Sequence, residues 1–526
     1  MTRQKSEDRD KPQGRRKSAV TREVEPRSGG EASPVDEAPK QLSLFSGTAE
    51  ERARARIDAE AECSLERSAT RATPKPKTTS KTATVATMDA VTDRLMEAFS
   101  KVERNRGAPG PDGLTVAAMR EHLDEWLPKL ANALQSGGTY MPGEIRRVWI
   151  PKASGGQRGL GIPNVIDRVV QEAVRQVLEP LYEPTFHRSS HGFRPGRSCH
   201  TAIAEAVEYV NEGYEWVVDL DLEKFFDRVN HQRLMSKLAQ RVQDKSLLVL
   251  IGRMLKAKVV LPDGVVVATE EGVPQGGPLS PLLSNIVLDE LDSELERRGH
   301  RFVRYADDAN IYVRSERAGQ RVMASIKQFI ERRLRLKVNE QKSAVARPEE
   351  RHFVGFRLRR EPLDGRVEVM LSVRSKKRID EAIREHTPRN QGGSLSACIL
   401  RLNAYVLGWV GFFGICTTAM ERTFSNLDAH IRRRLRAIQL RHWKRKRTIV
   451  KRLISLGSKR KTAWWSVHGG RKSTWALSHA STVHRALGNS LWEERGLVSI
   501  VKQWRRLQEQ HVAPVQLTLC WDEARS

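Results

Sequence analysis

Two adjacent carboxylates, Asp307 and Asp308, lie between two β-prone runs, Phe302-Val303 and Ile311-Tyr312-Val313. An apolar strand, a short polar connection and a second apolar strand predict a hairpin that holds both aspartates at its turn. Adjacent carboxylates repel each other, so this arrangement is costly unless a cation neutralises them. Considered alone, such a pair is more often an ordinary Asp-rich turn than a metal site.

An upstream run, residues 216–222, alternates between apolar and acidic residues. This period of two predicts a strand with one face that carries Asp219 and Asp221. The opposite face consists of Val218, Leu220 and Leu222. An acidic face on an otherwise apolar strand needs compensation, and a bound metal ion is one way to supply it.

The chain has 526 residues, enough for several domains and a large core. Its formal net charge of +27 indicates a polyanionic partner, most simply nucleic acid. A membrane surface is the alternative, but we expect no segment to reach the apolar length of a membrane span, and no secretory signal is visible. The five cysteines are scattered without a C-x-x-C pair, which argues against a zinc module or a disulfide framework and favours the cytoplasm.

Residues 1–86 are rich in charge, Ser, Thr, Pro and Ala, with Phe45 as their single aromatic residue. Such a segment cannot bury enough apolar surface to offset its ordering entropy, so we expect a disordered tail. Within it, Gln41, Leu42, Leu44 and Phe45 form an apolar island suited to docking in a partner's groove. The pentapeptide resembles the motif by which many bacterial proteins bind the replicative sliding clamp, and a chance apolar cluster is the alternative.

A strand-like run, residues 145–152, leads into a Gly-rich loop, residues 154–159. Lys152 and Arg158 flank this loop, and cations on a flexible Gly-rich turn suit the binding of a triphosphate. A solvated basic loop is the more common alternative. Apolar residues at helical spacing predict helices over about 91–102, 116–135, 167–181 and 282–291.

Taken together, these residues resemble a reverse transcriptase, and specifically the group II intron-encoded reverse transcriptase/maturase family. The resemblance extends over about residues 88–508 and rests on motifs that follow one another in the family's order. They are residues 108–113, 150–152, 160–163, 192–196, 221–227, 274–284, 305–308 and 339–342. Each motif is weak alone, whereas the collinear set is highly specific.

The resemblance implies a site in which carboxylates hold two Mg²⁺ ions. Asp221 and Asp307 would bridge the ions and Asp308 would support them, whereas Asp219 does not match a ligand position. In polymerases one ion activates the primer 3′-hydroxyl and the other binds the triphosphate. Hard oxygen ligands of this kind suit Mg²⁺.

The resemblance also assigns the nucleotide-binding residues. Lys152 and Arg158 would contact the triphosphate of the incoming dNTP, and Gln275 would lie against its sugar. Phe226 would exclude a 2′-hydroxyl, with an aromatic residue of the core as the alternative. Lys342 would lie near the active site, with an exposed structural lysine as the alternative.

A later segment with Phe353, Gly355 and Phe356 resembles the hairpin that grips the primer. Some positions differ from the residues usual in the family, and these differences concern packing more than chemistry. They are His191, Gly159 and Phe412.

The C-terminal part becomes helical from about Val373, and residues 402–409 resemble the maturase thumb, the family's intron-binding region. Residues 432–492 contain 17 Lys and Arg and no Asp or Glu. The tryptophans among them are Trp443, Trp464, Trp465, Trp475 and Trp492. Cations for phosphates and aromatic rings for stacking predict an RNA- or DNA-binding surface, although we expect most of the tryptophans in the core.

Many relatives end in a zinc-stabilised HNH endonuclease, for which this sequence offers no Cys/His pairs because Cys520 is the single cysteine after Cys416. By resemblance, the protein would not cut the second target strand and would take its primer from elsewhere, such as a replication fork. A clamp-binding peptide at residues 41–45 is coherent with that source of primers.

The sequence therefore predicts an α+β right-hand polymerase, with fingers and an antiparallel palm sheet followed by an α-helical thumb. The expected domains are a disordered tail (1–86), fingers and palm (87–365), a thumb/maturase domain (366–450) and a basic nucleic-acid-binding region (451–526). The expected function is DNA synthesis on an RNA template from a DNA primer, with binding of the parent group II intron RNA for splicing and for mobility into target DNA. The alternatives are a CRISPR-associated or defence reverse transcriptase and a non-catalytic RNA-binding splicing factor.

Overall fold

The computed structural model describes residues 85–135, 139–151, 156–390, 392–470 and 473–510. All of them belong to one unit of the chain, Arg67–Ser526. Lys152, the candidate clamp peptide 41–45 and the tail as far as residue 84 lie outside the described residues. The expectations for these segments therefore stay predictions.

The first half of the described chain contains helices and short strands. They are α1 (Met88–Asp93), α2 (Leu95–Arg104), α3 (Val116–Glu121), α4 (Leu123–Gln135), β1 (Ile145–Pro151), β2 (Gln157–Ile162), α5 (Val165–Tyr182), α6 (Cys199–Asn211), β3 (Trp216–Leu220), α7 (His231–Ala239), α8 (Lys245–Leu255), β4 (Val259–Val260) and β5 (Val266–Val267). The predicted strand 145–152 and helix 167–181 are confirmed. The helices expected over 91–102 and 116–135 are each interrupted, because Arg94 and His122 leave the helical range of φ and ψ.

The second half begins with a long helix and a hairpin and ends in helices. Its elements are α9 (Ser280–Arg297), β6 (Arg301–Tyr305), β7 (Asp308–Val313), α10 (Glu316–Phe329), β8 (Ala344–Ala346), β9 (Phe356–Arg360), β10 (Val367–Leu371), α11 (Val373–His386), α12 (Leu395–Phe413), α13 (Glu421–His442), α14 (Lys446–Ser455), α15 (Arg460–His468), α16 (Thr474–Leu477), α17 (Ser481–Ala486), α18 (Asn489–Glu494) and α19 (500–510). The helix predicted over 282–291 lies within α9, and the helical pattern from Val373 onward is confirmed.

A four-stranded sheet in the order β6-β7-β3-β8 lies between two hydrophobic cores. All its strand pairs are antiparallel, as predicted for the sheet that carries the aspartates. The alternation of β3 is also confirmed, since Val218 and Leu220 pack in the first core and Val217 packs in the second. Leu222 follows the strand into the first core, as its position in the alternation predicts.

The two cores divide the molecule unequally along the chain. The first contains side chains from the N-terminal helices and from α5, α7, α8 and α9. The second begins at α6, passes through the β9–β10 hairpin and continues to Trp504. The segments 366–450 and 451–510 therefore share one core, while the domain boundaries stay predictions. A separate sheet in the order β2-β1-β4-β5 places Ile150 opposite Arg158.

Helix α12 is long and apolar enough, with 19 residues and a mean hydropathy of 1.4, to cross a membrane by length and composition. The expectation that no segment reaches this length was therefore wrong. Core helices pass the same test, and α12 buries six side chains in the second core. They are Cys398, Ile399, Leu402, Val406, Trp409 and Val410.

Helix α10 crosses the central sheet at Gly319, where a Cβ would lie 2.5 Å from Val345 Cγ1. We expect Gly319→Ala to lower the free energy of unfolding by about 1–3 kcal/mol, because the added methyl overpacks this contact. Gly252→Ala in α8 is the matched control, since the nearest atom to its Cβ would be Met235 Cε at 4.0 Å. Denaturant unfolding should show that the control is stabilised by up to about 1 kcal/mol. Equal effects of the two substitutions would contradict this packing argument.

Candidate active site

The hairpin between β6 and β7 closes with a two-residue turn. Tyr305 pairs with Asp308 across the ladder, which leaves Ala306 and Asp307 as the turn residues. Ala306 has a φ of 58°, in the left-handed region that two-residue hairpin turns use. The predicted hairpin is confirmed, with Asp307 in the turn and Asp308 as the first residue of β7.

Asp221 directly follows β3, and the end of β3 pairs with the start of β7, where Asp308 lies. The Asp221 N–H donates to Ser343 Oγ at 3.0 Å, and the Asp221 carbonyl accepts from the Asn339 N–H at 2.8 Å. Lys342 Nζ lies 3.2 Å from Asp221 Oδ2. The fold thus brings together carboxylates and a lysine that are far apart in the sequence.

Negative charge accumulates at this end of the sheet. Asp308 is open to solvent on one side, yet desolvation by the surrounding protein raises its pKa to about 7. The neighbouring charges of Asp307, Asp219 and Asp221 add to this rise. Desolvation also raises the pKa of Asp307, and Asp221 adds to the effect. A cation at this position would relieve the repulsion among these carboxylates.

The chemistry of the donor set fits magnesium, since Asp221, Asp307 and Asp308 offer the carboxylate oxygens that this ion prefers. Within the described ranges, no three His, Cys, Asp or Glu side chains form a group that would hold an ion by themselves. Magnesium commonly keeps several waters and substrate phosphates in its shell, so one or two carboxylates are enough to bind it.

Arg304, at the end of β6, is fully buried and uses all five of its N–H donors. It forms a bidentate pair with Asp292, also fully buried, through bonds of 2.7 and 2.5 Å. Two further bonds reach Asn285 Oδ1 at 2.9 Å and Ser190 Oγ at 2.6 Å. The fifth reaches the carbonyl of Ala306 at 2.8 Å. The guanidinium therefore connects α9 and the loop before α6 to the turn that carries Asp307.

The loop before α6 also contacts the turn through its backbone. The His191 N–H donates to the Arg304 carbonyl at 2.8 Å, and the Arg304 N–H donates to the Ser189 carbonyl at 2.9 Å. A Cβ on Gly192 would lie 2.2 Å from Ala306 N, so glycine alone allows this close approach. The β6–β7 hairpin is thus held at its edge as well as through its ladder.

The sequence alone does not predict this network, although it contains two signals for it. Arg304 is a charged residue in a predicted strand, directly after the apolar pair Phe302-Val303. Asn285 and Asp292 are seven positions apart in the apolar run of α9, which places two polar side chains on one face of the helix. A buried ion pair between the strand and the helix would have explained both signals.

Asp219 lies on the same face as Asp221 but has a different partner. Arg351 donates two bonds to Asp219 Oδ2, from Nε at 2.8 Å and from Nη2 at 2.5 Å. The same Arg351 Nη2 also donates to the carbonyl of Lys342 at 2.5 Å. An arginine therefore compensates this part of the acidic face, in keeping with the omission of Asp219 from the predicted ligands.

The predicted triphosphate and sugar contacts meet at β2. Arg158 Nε donates to Gln275 Oε1 at 2.7 Å, and the Gly161 N–H donates to the Gln275 carbonyl at 2.6 Å. The charge of Arg158 partly offsets the desolvation that raises the pKa of Asp307, so the arginine lies within electrostatic range of the turn. The structure brings these predicted residues together, and Lys152 lies outside its described part.

Phe226 lies in a single 3₁₀ turn, Phe225–Asp227, directly after the acidic strand. Its side chain is 8% exposed and packs edge-on against Phe225, with ring centroids 5.2 Å apart. Its carbonyl accepts from the Val273 N–H at 2.6 Å, which fixes it against the Pro/Gly loop that carries Gln275. The residue is therefore held rigidly beside Gln275, one of the predicted nucleotide-binding positions, and a small part of it is accessible.

The predicted primer-grip segment forms a tight turn, in which Phe353 and Phe356 exchange backbone hydrogen bonds of 2.9 and 2.8 Å. Val354 and Gly355 at its tip both have positive φ, 41° and 100°. Both phenylalanine side chains are buried in the second core, and the Phe356 ring lies 5.2 Å from that of Phe413. The phenylalanines thus anchor the turn, and its tip is the part that remains accessible.

Two positions that differ from the family pattern have partners in the structure. His191 Nε2 lies 2.7 Å from Glu205 Oε2. Phe412 stacks on Phe356 with centroids 5.6 Å apart. Both side chains therefore have partners within the protein, and their effect on the predicted chemistry stays a prediction.

The tryptophans of the basic region occupy different environments. Trp492 is fully buried, and Trp443 packs partly buried against the second core. Trp475 lies under Arg433, whose guanidinium carbon is 4.0 Å from the centroid of the tryptophan ring. Trp464 and Trp465 are exposed to 50% and 61%, so fewer tryptophans lie in the core than the sequence analysis expected.

Two family models match this chain in tandem. Residues 150–358 match the model described as reverse transcriptase (RNA-dependent DNA polymerase). Residues 376–454 match the model described as the maturase-specific domain of group II introns. The first match contains the candidate active site, and the second covers most of α11 to α14.

Two curated relatives are similar to long stretches of this chain. Protein YkfC of Escherichia coli K12 is 41% identical over 210 residues, which are 39% of this chain and 55% of that protein. The group II intron-encoded protein LtrA of Lactococcus lactis is 30% identical over 328 residues, 50% of this chain and 54% of that protein. The chain thus spans about half the length of these relatives. A partial Cas6-RT-Cas1–Cas2 complex aligns with a TM-score of 0.31 at 25% identity, over 47% of this chain and 42% of that one.

The chain is thus a protein with a reverse transcriptase domain followed by a maturase domain. Residues 150–358 and 376–454 thus carry in tandem the two domains that the sequence motifs predicted.

The Arg304 network generates a prediction that separates stability from positioning. Arg304→Met leaves Asp292 buried without a partner, so the free energy of unfolding should fall by about 3–5 kcal/mol. The double variant Arg304→Met/Asp292→Leu removes both charges and should recover most of that loss. Neither variant can bind the Ala306 carbonyl, so hydrogen exchange in the turn should stay accelerated and primer extension should stay reduced in both.

The control for these variants is Arg301→Met on the same strand, where the side chain is 43% exposed and 3.5 Å from Glu212. Its effect on the free energy of unfolding should stay within about 0.5 kcal/mol. If the double variant regains normal exchange and extension together with stability, Arg304 does not position the turn.

Proposed function

We propose that this chain is an RNA-directed DNA polymerase of the right-hand type that also binds its group II intron RNA. The β6-β7-β3-β8 sheet would be the palm, the β2-β1-β4-β5 sheet part of the fingers, and α11 to α13 part of the thumb. The observation that carries the proposal is the convergence of Asp221, Asp307 and Asp308 at one end of the sheet. The two family matches support it.

The proposed site would hold two Mg²⁺ ions through Asp221 and Asp307, with Asp308 in support. Bound there, the ions would lower the pKa of the primer 3′-hydroxyl and neutralise charge on the triphosphate. Arg158 and Gln275, already in contact, would orient the nucleotide from the fingers side. Lys342, at 3.2 Å from Asp221, would offset carboxylate charge beside the primer end.

Nucleotide selection and primer placement would come from rigid elements. Phe226 would lie under the sugar and oppose a 2′-hydroxyl, because its backbone and ring are fixed by Val273 and Phe225. The Val354-Gly355 tip would contact the primer backbone. A turn anchored by two buried phenylalanines loses little entropy when it binds, which favours precise placement of the primer.

The maturase role would use other parts of the chain. The match to the maturase-specific domain covers residues 376–454, and the cationic run 432–492 carries no acid to compete with phosphates. Target DNA and intron RNA both present such phosphates. Binding and splicing assistance would therefore be independent of Asp307 and Asp308.

The proposal is tested by Asp307→Asn/Asp308→Asn, which removes the charge needed for ion binding while keeping the shape of both side chains. We expect no detectable primer extension on an RNA template with Mg²⁺, and nearly unchanged binding and splicing of the intron RNA. Asp364→Asn is the matched control, an acid in a surface turn whose carboxylate accepts from the Arg366 N–H at 3.0 Å and lies 3.5 Å from the Arg366 Nε. The control should extend as the wild type does.

The outcomes of this test distinguish the alternatives. Extension by the double variant would remove the assigned metal ligands. No extension by the wild type either, with RNA binding retained, would favour a non-catalytic splicing factor. Extension without affinity for an intron RNA encoded around the gene would favour a reverse transcriptase of another lineage.

We further propose that Gln41, Leu42, Leu44 and Phe45 bind the replicative sliding clamp and so bring the protein to primers at replication forks. The support is the sequence of this peptide. The prediction is that purified clamp retains the full chain and releases Leu44→Ala/Phe45→Ala, because the variant lacks two of the three large apolar side chains of the peptide. Arg3→Ala in the same tail is the control. Equal retention of all three proteins would exclude this role for the peptide.

A further inference from the structure

One face of α13 carries three arginines, Arg432, Arg433 and Arg436, at positions i, i+1 and i+4. This spacing places the guanidinium groups on neighbouring positions of the helix surface. Arg432 and Arg433 are half-buried, whereas Arg436 is only 3% exposed. A deeply buried arginine beside two others needs a source of negative charge.

No such source is present among the described residues. Arg436 forms no hydrogen bond or ion pair with any of them, and its Nε is buried without a partner. Desolvation lowers the pKa of Arg436 to about 10, and the charges of Arg432 and Arg433 contribute to that shift. The Nε of Arg433 is also buried without a partner. The side chain thus remains charged at neutral pH, in a position where an uncompensated charge is costly.

The surroundings of this cluster are cationic or neutral. Burial lowers the pKa of His484 on α17, and Arg436 is the largest charged contributor, so the histidine faces the cluster. His479 lies next to His484, with ring centroids 5.6 Å apart. Trp475 closes one side, 4.0 Å from the Arg433 guanidinium. Both histidines are exposed, which leaves an entrance from solvent.

A neighbour on the same helix shows how the fold satisfies a buried arginine that is purely structural. Arg434 is 8% exposed, and its Nε donates to Thr387 Oγ1 at 2.5 Å. Its Nη2 donates to the carbonyls of Thr387 at 2.6 Å and Arg384 at 3.2 Å. Arg434 and Arg436 are therefore buried to a similar extent, but of the two only Arg434 forms hydrogen bonds with the described residues.

We propose that Arg432, Arg433, Arg436 and His484 form a pocket that binds a backbone phosphate of RNA, with Arg436 at its base. A phosphodiester supplies the acceptor oxygens and the negative charge that Arg436 lacks, and guanidinium groups match its geometry. The assignment to RNA rests on the proposed function, since the match to the maturase-specific domain includes these three arginines. The phosphate chemistry itself rests on the geometry alone.

The test uses Arg436→Met, which keeps the length of the buried side chain and removes its charge. In the ligand-free protein the midpoint of thermal unfolding should rise by about 1–3 °C, because a buried unpaired charge is lost. The affinity for an intron RNA segment should fall about tenfold or more, as expected for a charged hydrogen-bonding group. The slope of log K against log salt should become shallower by about 0.7–0.9, the value for one phosphate contact.

The matched control is Arg434→Met. It should lower the unfolding midpoint, because it leaves the Thr387 carbonyl without its donor, and it should keep the salt slope of the wild type. Inorganic phosphate and pyrophosphate provide a second probe that needs neither RNA nor polymerase activity. Both should raise the unfolding midpoint of the wild type and of Arg434→Met, and should leave Arg436→Met unchanged.

An unchanged RNA affinity and salt slope in Arg436→Met would overturn the proposal, as would equal stabilisation of wild type and variant by phosphate. If Arg436→Met does not fold, Arg432→Gln/His484→Gln at the rim replaces it as the test variant. An unchanged phosphate response in that variant also overturns the proposal.

An RNA hairpin and a DNA hairpin of the same sequence separate the two sources of phosphate. A loss of affinity with RNA supports the proposal, and a loss confined to DNA contradicts it. Because the phosphate response requires no DNA synthesis, it stands even if primer extension fails.

Discussion

The buried pair of Arg304 and Asp292 is the interaction on which the candidate active site depends. A fully buried ion pair costs desolvation energy that is recovered only when every donor and acceptor is satisfied. Here all five donors of the guanidinium are used, and one of them reaches the carbonyl of Ala306 in the turn. The position of Asp307 is therefore fixed by a charge network in the protein interior as well as by the strand ladder.

The β6-β7-β3-β8 sheet lies between the two hydrophobic cores and contributes side chains to both. One face of β3 packs with the N-terminal helices, and the other packs with the elements that lead to Trp504. Strand β3, which ends beside Asp221, consequently contacts both cores. The same sheet connects the carboxylates to the core that extends into the segment matching the maturase-specific domain.

The structure contains two clusters of like charge, one of carboxylates around Asp308 and one of arginines around Arg436. Around Asp308, desolvation and the neighbouring carboxylates raise its pKa to about 7, and a cation would relieve the repulsion. Around Arg436, desolvation and the neighbouring arginines lower its pKa to about 10, and an anion would relieve the repulsion there. Each site is costly in the free protein, because like charges are held together by the surrounding packing. Such a cost is expected where a ligand completes the site.

The sequence by itself determined the resemblance to the group II intron reverse transcriptase/maturase family, the hairpin with its aspartates, the two-sided strand 216–222 and the cationic character of residues 432–492. These features depend on local periodicity, turn chemistry and composition, which the order of residues along the chain shows without knowledge of the fold. Tertiary structure alone decided that Asp219 is compensated by Arg351, that Phe353 and Phe356 are buried, and that the apolar helix α12 packs in a core. It also decided that Arg434 is satisfied while Arg436 is not. Each of these outcomes depends on contacts between residues far apart in the chain, so no pattern of neighbouring residues encodes them.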